Sequence, residues 1–345
     1  MTTLSEAYRN VPLTDDQIIP IDFESIDGVP ESHSWPQFNE HLNKNQTLDP
    51  KDSMIPVINL ACPDARTLIG QACETWGMFQ VINHGVPFEL VKKVESESER
   101  LFALPAHEKR KVLRAADGAT GYGSARVSPF FDKSMWHEGF TIMGSCVDDA
   151  KVLWPHEYQG FCDTMDAYQH QMKLLTHNLL LIILDTLGVT PEDMNWAIST
   201  DDSQSALQLN SYPTCPNPSE TIGLAPHTDS LLLTILNQSD ISGLEILVEG
   251  FGWKQVQAIE GAFVVNVGDL LHIFSNAKFP VLTHRVMVTH SRHRISVAYF
   301  HGPPVESIVA PSSKFQKPLF KSLPVKEYLS LKSKHFSEAL SMIQA

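Results

Sequence analysis

The fold is decided by residues 206–236, which read ALQLNSYPTCPNPSETIGLAPHTDSLLLTIL. Short β-prone runs lie here between Pro, Gly, Asn and Asp, the residues that commonly end strands. The same texture continues downstream, and the predicted strands are residues 207–212, 231–236, 244–248, 263–267, 286–288 and 294–300. Short strands with no helices between them favour a double-sheet jelly roll.

Upstream of this region the apolar residues recur at helical spacing. One helix carries apolar residues from Leu68 to Trp76 and leads into a strand at residues 79–82. A longer helix has one apolar face from Phe161 to Thr186, and Gly188 is a suitable left-handed cap for its end. We therefore expect an α+β protein whose core is a double-stranded β-helix, or jelly roll, with the N-terminal helices packed outside it.

Four parts of the chain differ in texture. Residues 1–53 are rich in Pro, Asp, Asn and Ser, so we expect an N-terminal arm that is partly disordered near residues 43–52. Residues 54–200 form the predicted helical region, and residues 201–310 form the jelly-roll core. Residues 311–345 are expected to form a C-terminal helix or tail.

Composition argues against several classes of partner. The net charge of −14 repels phosphate backbones and anionic lipids, so we expect neither a nucleic-acid nor a membrane partner. The longest aliphatic run, residues 179–184, is far shorter than the roughly 20 residues that cross a bilayer. Five cysteines without a Cys-x-x-Cys pair argue against a disulfide framework. We expect a monomer in the cytoplasm.

Three residues are candidate ligands of one metal ion. His227 and Asp229 are separated by one residue, so on a strand both side chains point to the same face. His284 follows after enough predicted strands for the chain to return beside this pair. Two imidazoles and one carboxylate leave coordination positions open, as in non-haem Fe(II) oxygenases. We interpret six further histidines as structural or surface residues: His84, His137, His272, His290, His293 and His301.

In a chain with 15 histidines, the His-x-Asp pair alone is a weak signal, and a second polar set strengthens it. Arg294 and Ser296 alternate on a strand that we expect to face inward, where an arginine needs an anion. A guanidinium fork beside a hydroxyl suits the distal carboxylate of a dicarboxylic co-substrate. Asn210 and Tyr212 also share a face, and Tyr212 could donate to the same carboxylate. The alternative is that both satisfy backbone groups at a strand end.

These motifs together resemble the plant 2-oxoglutarate and Fe(II)-dependent dioxygenases. The resemblance spans nearly the whole chain from about residue 54 and is carried by INHGVP at 82–87, FALP at 102–105, NSYPTC at 210–215, HTDS at 227–230, NVGD at 266–269, HRV at 284–286, RIS at 294–296 and GPP at 302–304. It implies Fe(II) bound by the predicted ligands, with 2-oxoglutarate and O2 as co-substrates and ascorbate as reductant.

Two further stretches are similar to the gibberellin 3β-hydroxylase branch of that family. They are VPESHSW at 29–35 and SMWHEGFT at 134–141. Glu31 and His137 depart from the branch pattern, in which Asp and Ser are commoner. Trp35, Trp136 and Phe140 in these stretches are equally compatible with substrate contact and with ordinary packing.

The branch resemblance implies a diterpenoid acid as substrate, which needs an apolar pocket and a partner for its carboxylate. Phe300 shares the inward face of its strand with Arg294 and Ser296 and is the candidate lining residue. Arg126 is the candidate partner of the carboxylate, although an exposed loop arginine is the ordinary alternative.

Two rival functions stay open at this level. Another gibberellin oxidase, or a flavonoid-type dioxygenase, would share every metal and co-substrate residue. A non-catalytic jelly-roll protein could bind a small acid and hold Zn(II) structurally. Arg294 and Ser296 argue against this second rival, because a structural zinc site closes four protein ligands and needs no dicarboxylate anchor.

Overall fold

The computed structural model describes residue 4 and residues 12–35, 55–198 and 204–345. Within them the helices are α1 (Asp15–Ile18), α2 (Ala65–Thr75), α3 (Phe88–Phe102), α4 (Ala106–Lys109), α5 (Val147–Leu153), α6 (Tyr158–Leu187), α7 (Pro191–Ile198), α8 (Asp269–Phe274), α9 (Val325–His335) and α10 (Ala339–Met342). The strands are β1 (Val57–Asn59), β2 (Met78–Ile82), β3 (Gly121–Gly123), β4 (Glu138–Ile142), β5 (Gln204–Tyr212), β6 (Leu224–His227), β7 (Leu233–Asn237), β8 (Leu244–Val248), β9 (Gly252–Gln255), β10 (Phe263–Val267), β11 (His284–Val286), β12 (Arg294–Gly302), β13 (Ile308–Val309) and β14 (Leu323–Pro324).

The larger of two facing sheets has eight strands in the order β1-β2-β10-β7-β12-β5-β4-β3. Its central strand β12 is antiparallel to both β5 and β7. Along β5 the register places Arg294 opposite Tyr212 and Ser296 opposite Asn210. Because alternate residues of a strand share a face, this register brings the four polar side chains to one patch of the sheet.

The smaller sheet has four strands in the order β6-β11-β8-β9. Its register places His284 on β11 directly opposite His227 on β6. Apolar residues hold the two sheets together, since Leu244 and Ile246 of the smaller sheet share a buried cluster with Leu236 and Ala298 of the larger one. The jelly roll therefore brings together side chains that are far apart in sequence.

The long helix α6 lies outside the larger sheet and packs against α2 and α3. Its buried face includes Phe161, Met165 and Tyr168, as the helical spacing predicted. It ends at Leu187, and Gly188 caps it in the left-handed conformation with φ of 70°. The predicted α+β jelly roll with outer N-terminal helices is confirmed.

Some strands were not predicted, and their sequences show why. The edge strand β6 contains Pro226, which lacks the amide donor that a central strand needs but is tolerated at a sheet edge. β3 contains two glycines, which weaken strand propensity. Strands β1 to β4 precede residue 200 yet belong to the larger sheet, so this sheet crosses the predicted boundary. The division into parts stays a prediction.

Residues 12–35 of the N-terminal arm form an ordered layer over the jelly roll. The amide of Ser124 donates to the carbonyl of Ile18 at 2.7 Å, and the amide of Trp35 donates to that of Glu220 at 2.6 Å. A Cβ at Gly123 would lie 3.0 Å from the same Ile18 carbonyl, so the glycine permits this close approach. The stretch expected to be disordered, residues 43–52, lies outside the described residues.

Candidate metal and co-substrate site

A cavity of about 600 Å³ opens between the two sheets. His227, Asp229 and His284 line it, together with the polar patch of the larger sheet. Apolar side chains form much of the remaining wall: Leu4, Leu13, Val127, Phe130, Met143, Leu236, Phe300, Leu329 and Phe336. This size and lining are typical of sites for small organic molecules.

Three potential ligand atoms from His227, Asp229 and His284 lie within 4.8 Å of one another. The Nε2 atoms of His227 and His284 lie 3.9 and 3.8 Å from Oδ1 of Asp229. The imidazole centroids are 4.3 Å apart with their planes 56° from parallel. Within the described chain no fourth His, Cys, Asp or Glu joins this group. The set therefore fits an open metal site better than a closed structural zinc site.

Backbone carbonyls fix the tautomers of both histidines. Nδ1 of His227 lies 2.8 Å from the carbonyl of Ala225, and Nδ1 of His284 lies 3.1 Å from that of Leu282. Because a carbonyl only accepts, each Nδ1 must carry the proton, which leaves the Nε2 lone pair for a metal. Burial lowers the pKa of His227 to about 3, with His284 adding to the effect, so the imidazole is neutral at physiological pH.

Asp229 is held by the segment that follows β10. Nδ2 of Asn266 donates to its Oδ2 at 3.0 Å, and the Asp269 amide donates to its carbonyl at 2.8 Å. A Cβ at Gly268 would lie 2.1 Å from the Leu231 carbonyl oxygen, so only glycine fits at this position. Burial by itself would raise the pKa of Asp229, but His284, His227 and Asn266 together lower it. The Asp229 carboxylate is thus ionised and held in position beside His227 and His284.

The strand argument for the His-x-Asp pair was only partly right. β6 ends at His227, and Asp229 lies in the loop beyond it. The side chains still converge because the contacts from Asn266 and Asp269 direct the loop. The direction of the His227 side chain therefore follows from its strand, whereas hydrogen bonds from a neighbouring segment set the direction of the Asp229 side chain.

The C-terminal helix α9 supports the same loop from its other side. Nζ of Lys332 donates to Oγ1 of Thr228 at 2.7 Å and pairs with Oδ2 of Asp269 at 2.7 Å. The hydroxyl of Tyr328 donates to the same Asp269 oxygen at 2.7 Å. Thr228 lies between two of the candidate ligands, so α9 helps to fix their relative position. No local sequence pattern signals this support, because Lys332 lies 104 positions after Thr228.

Arg294 is only 1% exposed and has incomplete hydrogen bonding. Its Nε donates to the carbonyl of Ile241 at 3.0 Å, and its Nη2 donates to Oε1 of Gln238 at 3.3 Å. Its Nη1 is buried and makes no hydrogen bond within the described residues. A buried guanidinium with an unpaired N–H is costly unless an anion binds there. This atom is the best-defined sign of an acidic ligand.

The other predicted anchor residues surround Arg294. The Tyr212 ring lies 5.0 Å from its guanidinium carbon, and Nδ2 of Asn210 donates to Oγ of Ser296 at 3.4 Å. The Oδ1 of Asn210 is occupied by Nε2 of His137 at 3.0 Å. His137 was interpreted as structural, but it lines the cavity, and burial lowers its pKa to about 4. Its neutral ring orients Asn210, a role that no local motif signals.

The structure separates the predicted substrate residues from the packing residues. Phe300 and Arg126 both line the cavity, and Nη1 of Arg126 donates to the carbonyl of Gly118 at 2.5 Å. Three aromatic residues do not line it. Trp35 packs against Phe131 with its ring tilted, Trp136 packs edge-on against Phe23, and Phe140 packs edge-on against Phe161.

The family models match two segments of the chain. Residues 203–303 match the 2OG-Fe(II) oxygenase superfamily, and residues 55–159 match the non-haem dioxygenase in morphine synthesis N-terminal family. Gibberellin 3-beta-dioxygenase 1 of Pisum sativum is 47% identical over 100% of this chain and 94% of its own length. The chain belongs to the gibberellin 3-beta-dioxygenase family of 2OG-Fe(II) oxygenases. Gibberellin 3-beta-dioxygenase 1 of Arabidopsis thaliana is a further member, 42% identical over 99% of this chain and 98% of its own.

Solved structures confirm the oxygenase fold. JOX2 in complex with 2OG, Fe and JA superposes with a TM-score of 0.79 at 24% identity, covering 93% of this chain and 95% of that one. The rice dioxygenase for auxin oxidation gives a TM-score of 0.69 at 24% identity, covering 84% and 100%. No helix in the described part of this oxygenase is long and apolar enough to cross a membrane.

Proposed function

We propose that this protein hydroxylates a gibberellin precursor at the 3β position, using Fe(II), 2-oxoglutarate and O2 and releasing succinate and CO2. One observation carries the reaction class: the three candidate ligands and the unpaired Nη1 of buried Arg294 lie in the same cavity. The substrate is supported by full-length similarity to relatives named gibberellin 3-beta-dioxygenases.

Fe(II) with 2-oxoglutarate, when bound, supplies the chemistry that lets O2 oxidise an unactivated C–H bond. His227, Asp229 and His284 would hold the metal and leave positions open on its other side. Arg294 would bind the distal carboxylate of 2-oxoglutarate in two parallel hydrogen bonds, with the hydroxyls of Ser296 and Tyr212 as further donors. Asn210, held by His137, would keep Ser296 in place.

The rest of the cavity would orient the diterpenoid skeleton. Its apolar wall, including Phe300 and Leu236, removes water from the ligand and limits the poses that it can adopt. The pose decides which C–H bond lies beside the metal and therefore the position of the hydroxyl group. Specificity for one carbon is thus a property of the wall, whereas the reaction class is a property of the metal and co-substrate residues.

The remaining features of the proposal concern the working conditions. We propose ascorbate as the reductant that keeps the iron in the Fe(II) state. We also propose that the protein acts as a monomer in the cytoplasm, which agrees with its five free cysteines.

The test is to incubate the protein with Fe(II), ascorbate, 2-oxoglutarate and a panel of gibberellin precursors. Mass spectrometry should find one added oxygen in a precursor, with equimolar succinate, and NMR should place the hydroxyl at the 3β position. Omitting 2-oxoglutarate is the control and should abolish both products. A hydroxyl at another carbon would identify a different gibberellin oxidase. Succinate without an oxidised diterpenoid would keep the reaction class but overturn the substrate.

A further inference from the structure

The cavity wall has far more positive than negative charge. Its cationic side chains are Arg114, Arg126, Arg294, Lys332 and Lys334, and Asp229 is the only carboxylate among the described residues that line it. Asp229 belongs to the candidate metal site, Arg294 to the proposed 2-oxoglutarate site, and Lys332 is paired with Asp269. A second anion, distinct from 2-oxoglutarate, would offset the charge of Arg114.

Arg114 is a deeply buried cation of this wall that takes no part in the proposed 2-oxoglutarate site. It is 4% exposed and lies beside β3, where its amide donates to the Tyr122 carbonyl at 2.8 Å. Nη2 donates to the Ser124 carbonyl at 2.9 Å, but Nε is buried without a hydrogen bond inside the described ranges. No ion pair joins Arg114 to a described carboxylate. Burial, with the nearby charge of Arg126, lowers its pKa to about 9, so it is still a cation at neutral pH.

Neighbouring groups do not neutralise this guanidinium. Glu138, the buried carboxylate on β4, is engaged by Nζ of Lys109 at 2.7 Å and by the hydroxyl of Ser211 at 3.1 Å. His137 cannot supply negative charge, and burial keeps its ring neutral. A buried charge without a partner is strongly destabilising, so the site is suited to an anion that arrives with the ligand.

We propose that Arg114, with Arg126 beside it, binds the carboxylate of the diterpenoid acid. This assignment rests on the proposed function, and it names the part of the same cavity that selects an acid. The sequence indicated Arg126 alone. The structure shifts the main role to Arg114, whose side chain is more buried and pairs with no described carboxylate, while Arg126 adds positive charge next to it. The carboxylate would then anchor the skeleton at one end while its other end faces the metal.

The test measures binding, not turnover. The protein, loaded with Fe(II) and 2-oxoglutarate without O2, is titrated by calorimetry with a gibberellin precursor acid and with its methyl ester. The wild type should prefer the acid, because the ester lacks the charge. Arg114→Met should weaken acid binding by about 10- to 100-fold, the range for hydrogen bonds to charged groups, and leave ester binding nearly unchanged. Arg114→Lys should bind the acid with an affinity between those of the wild type and Arg114→Met.

Two controls separate binding from folding. The affinity for 2-oxoglutarate should stay the same in both variants, which shows that the cavity is formed. Arg100→Met is the matched control, because Arg100 pairs with Glu97 on α3 and does not line the cavity. Equal losses for acid and ester in Arg114→Met would mean that Arg114 only supports the loop, and this result would overturn the assignment.

The outcomes for the two proposals are distinct. A wild type that binds acid and ester equally would also overturn the assignment to Arg114, whatever reaction the enzyme catalyses. A wild type that prefers the acid through Arg114 but hydroxylates another carbon would keep the assignment and overturn the proposed 3β position. A wild type that binds neither ligand would overturn both.

Discussion

At the metal end of the cavity a hydrogen bond orients every candidate ligand: the two histidines donate to backbone carbonyls, and Asp229 accepts from Asn266. At the substrate end the wall is assembled from the N-terminal arm, the loop after β3, the larger sheet and the C-terminal helix. The candidate ligands and these three hydrogen-bond partners all lie within residues 225–284, whereas the substrate wall draws on residues from 4 to 336. The difference suggests that the two ends have separable functions: one defines the reaction, and the other defines the substrate.

The largest effect is expected at the metal end. Asp229→Ala removes the only carboxylate of the triad and should reduce both Fe(II) retention and succinate formation by more than about 100-fold. Replacing a residue that only hydrogen-bonds to a metal ligand already lowers metal affinity or activity by about 10- to 100-fold. Metal analysis after loading and a succinate assay measure the two effects. Asp240→Ala, at an exposed residue paired with Arg292, is the control and should be normal. Full metal content in Asp229→Ala would contradict the ligand assignment.

Arg294→Lys tests the co-substrate anchor between the two ends. The ammonium keeps the charge but loses the two-pronged geometry, so the Kd for 2-oxoglutarate should rise by about 10- to 100-fold while Fe(II) retention is unchanged. Calorimetry without O2 measures this Kd. Arg292→Lys, two residues away and exposed, should bind 2-oxoglutarate like the wild type. An unchanged Kd in Arg294→Lys would contradict the proposal that Arg294 binds the distal carboxylate of 2-oxoglutarate.

Lys332→Met tests whether the C-terminal helix supports the metal end. It removes the contacts to Thr228 and Asp269, so Fe(II) affinity should fall by about 10-fold through the loosened loop. A chelator competition assay gives this affinity. Lys326→Met, on the same helix but in an exposed pair with Glu306, is the matched control. Equal Fe(II) affinity in the two variants would show that α9 lines the substrate cavity but does not support the metal ligands.

Leu13→Ala tests the substrate end with the smallest expected effect. The residue lines the cavity from the N-terminal arm, and its truncation should raise the KM for the diterpenoid by about 3- to 10-fold through lost apolar contact. The Kd for 2-oxoglutarate should not change. Leu319→Ala, at an exposed leucine outside the cavity, should leave both constants unchanged. A parallel loss of 2-oxoglutarate affinity would show that the two ends are not separable.

The sequence could indicate the candidate ligands, which the structure brings together, because the signals for them are local; their role as ligands stays a prediction. His227 and Asp229 lie in one short motif, and Arg294 and Ser296 lie in another whose alternation aims both side chains inward. Even there the prediction assigned Asp229 to a strand, because the contacts that direct its loop come from residues 266–269 and are not visible in the motif itself.

The substrate end could not be predicted in the same way. Arg114 lies in no recognisable motif, and its significance depends on its burial and on the lack of a carboxylate partner among the described residues, which are properties of the folded state. His137 was interpreted as structural because its contact with Asn210 joins residues 73 positions apart. Lys332 reaches Thr228 across 104 positions. Such contacts follow from tertiary structure and not from hydrophobic period or motif spacing.

Both ends of the chain line the cavity, Leu4 and Leu13 near its start and Leu329 and Phe336 near its finish. During synthesis, therefore, all three candidate metal ligands leave the ribosome before α9 does. A nascent chain can contain a complete ligand set while its substrate cavity is still unfinished. The segment that contains α9 must be translated before this wall can close, so a chain that stopped before Val325 would lack Leu329 and Phe336 while retaining every candidate ligand.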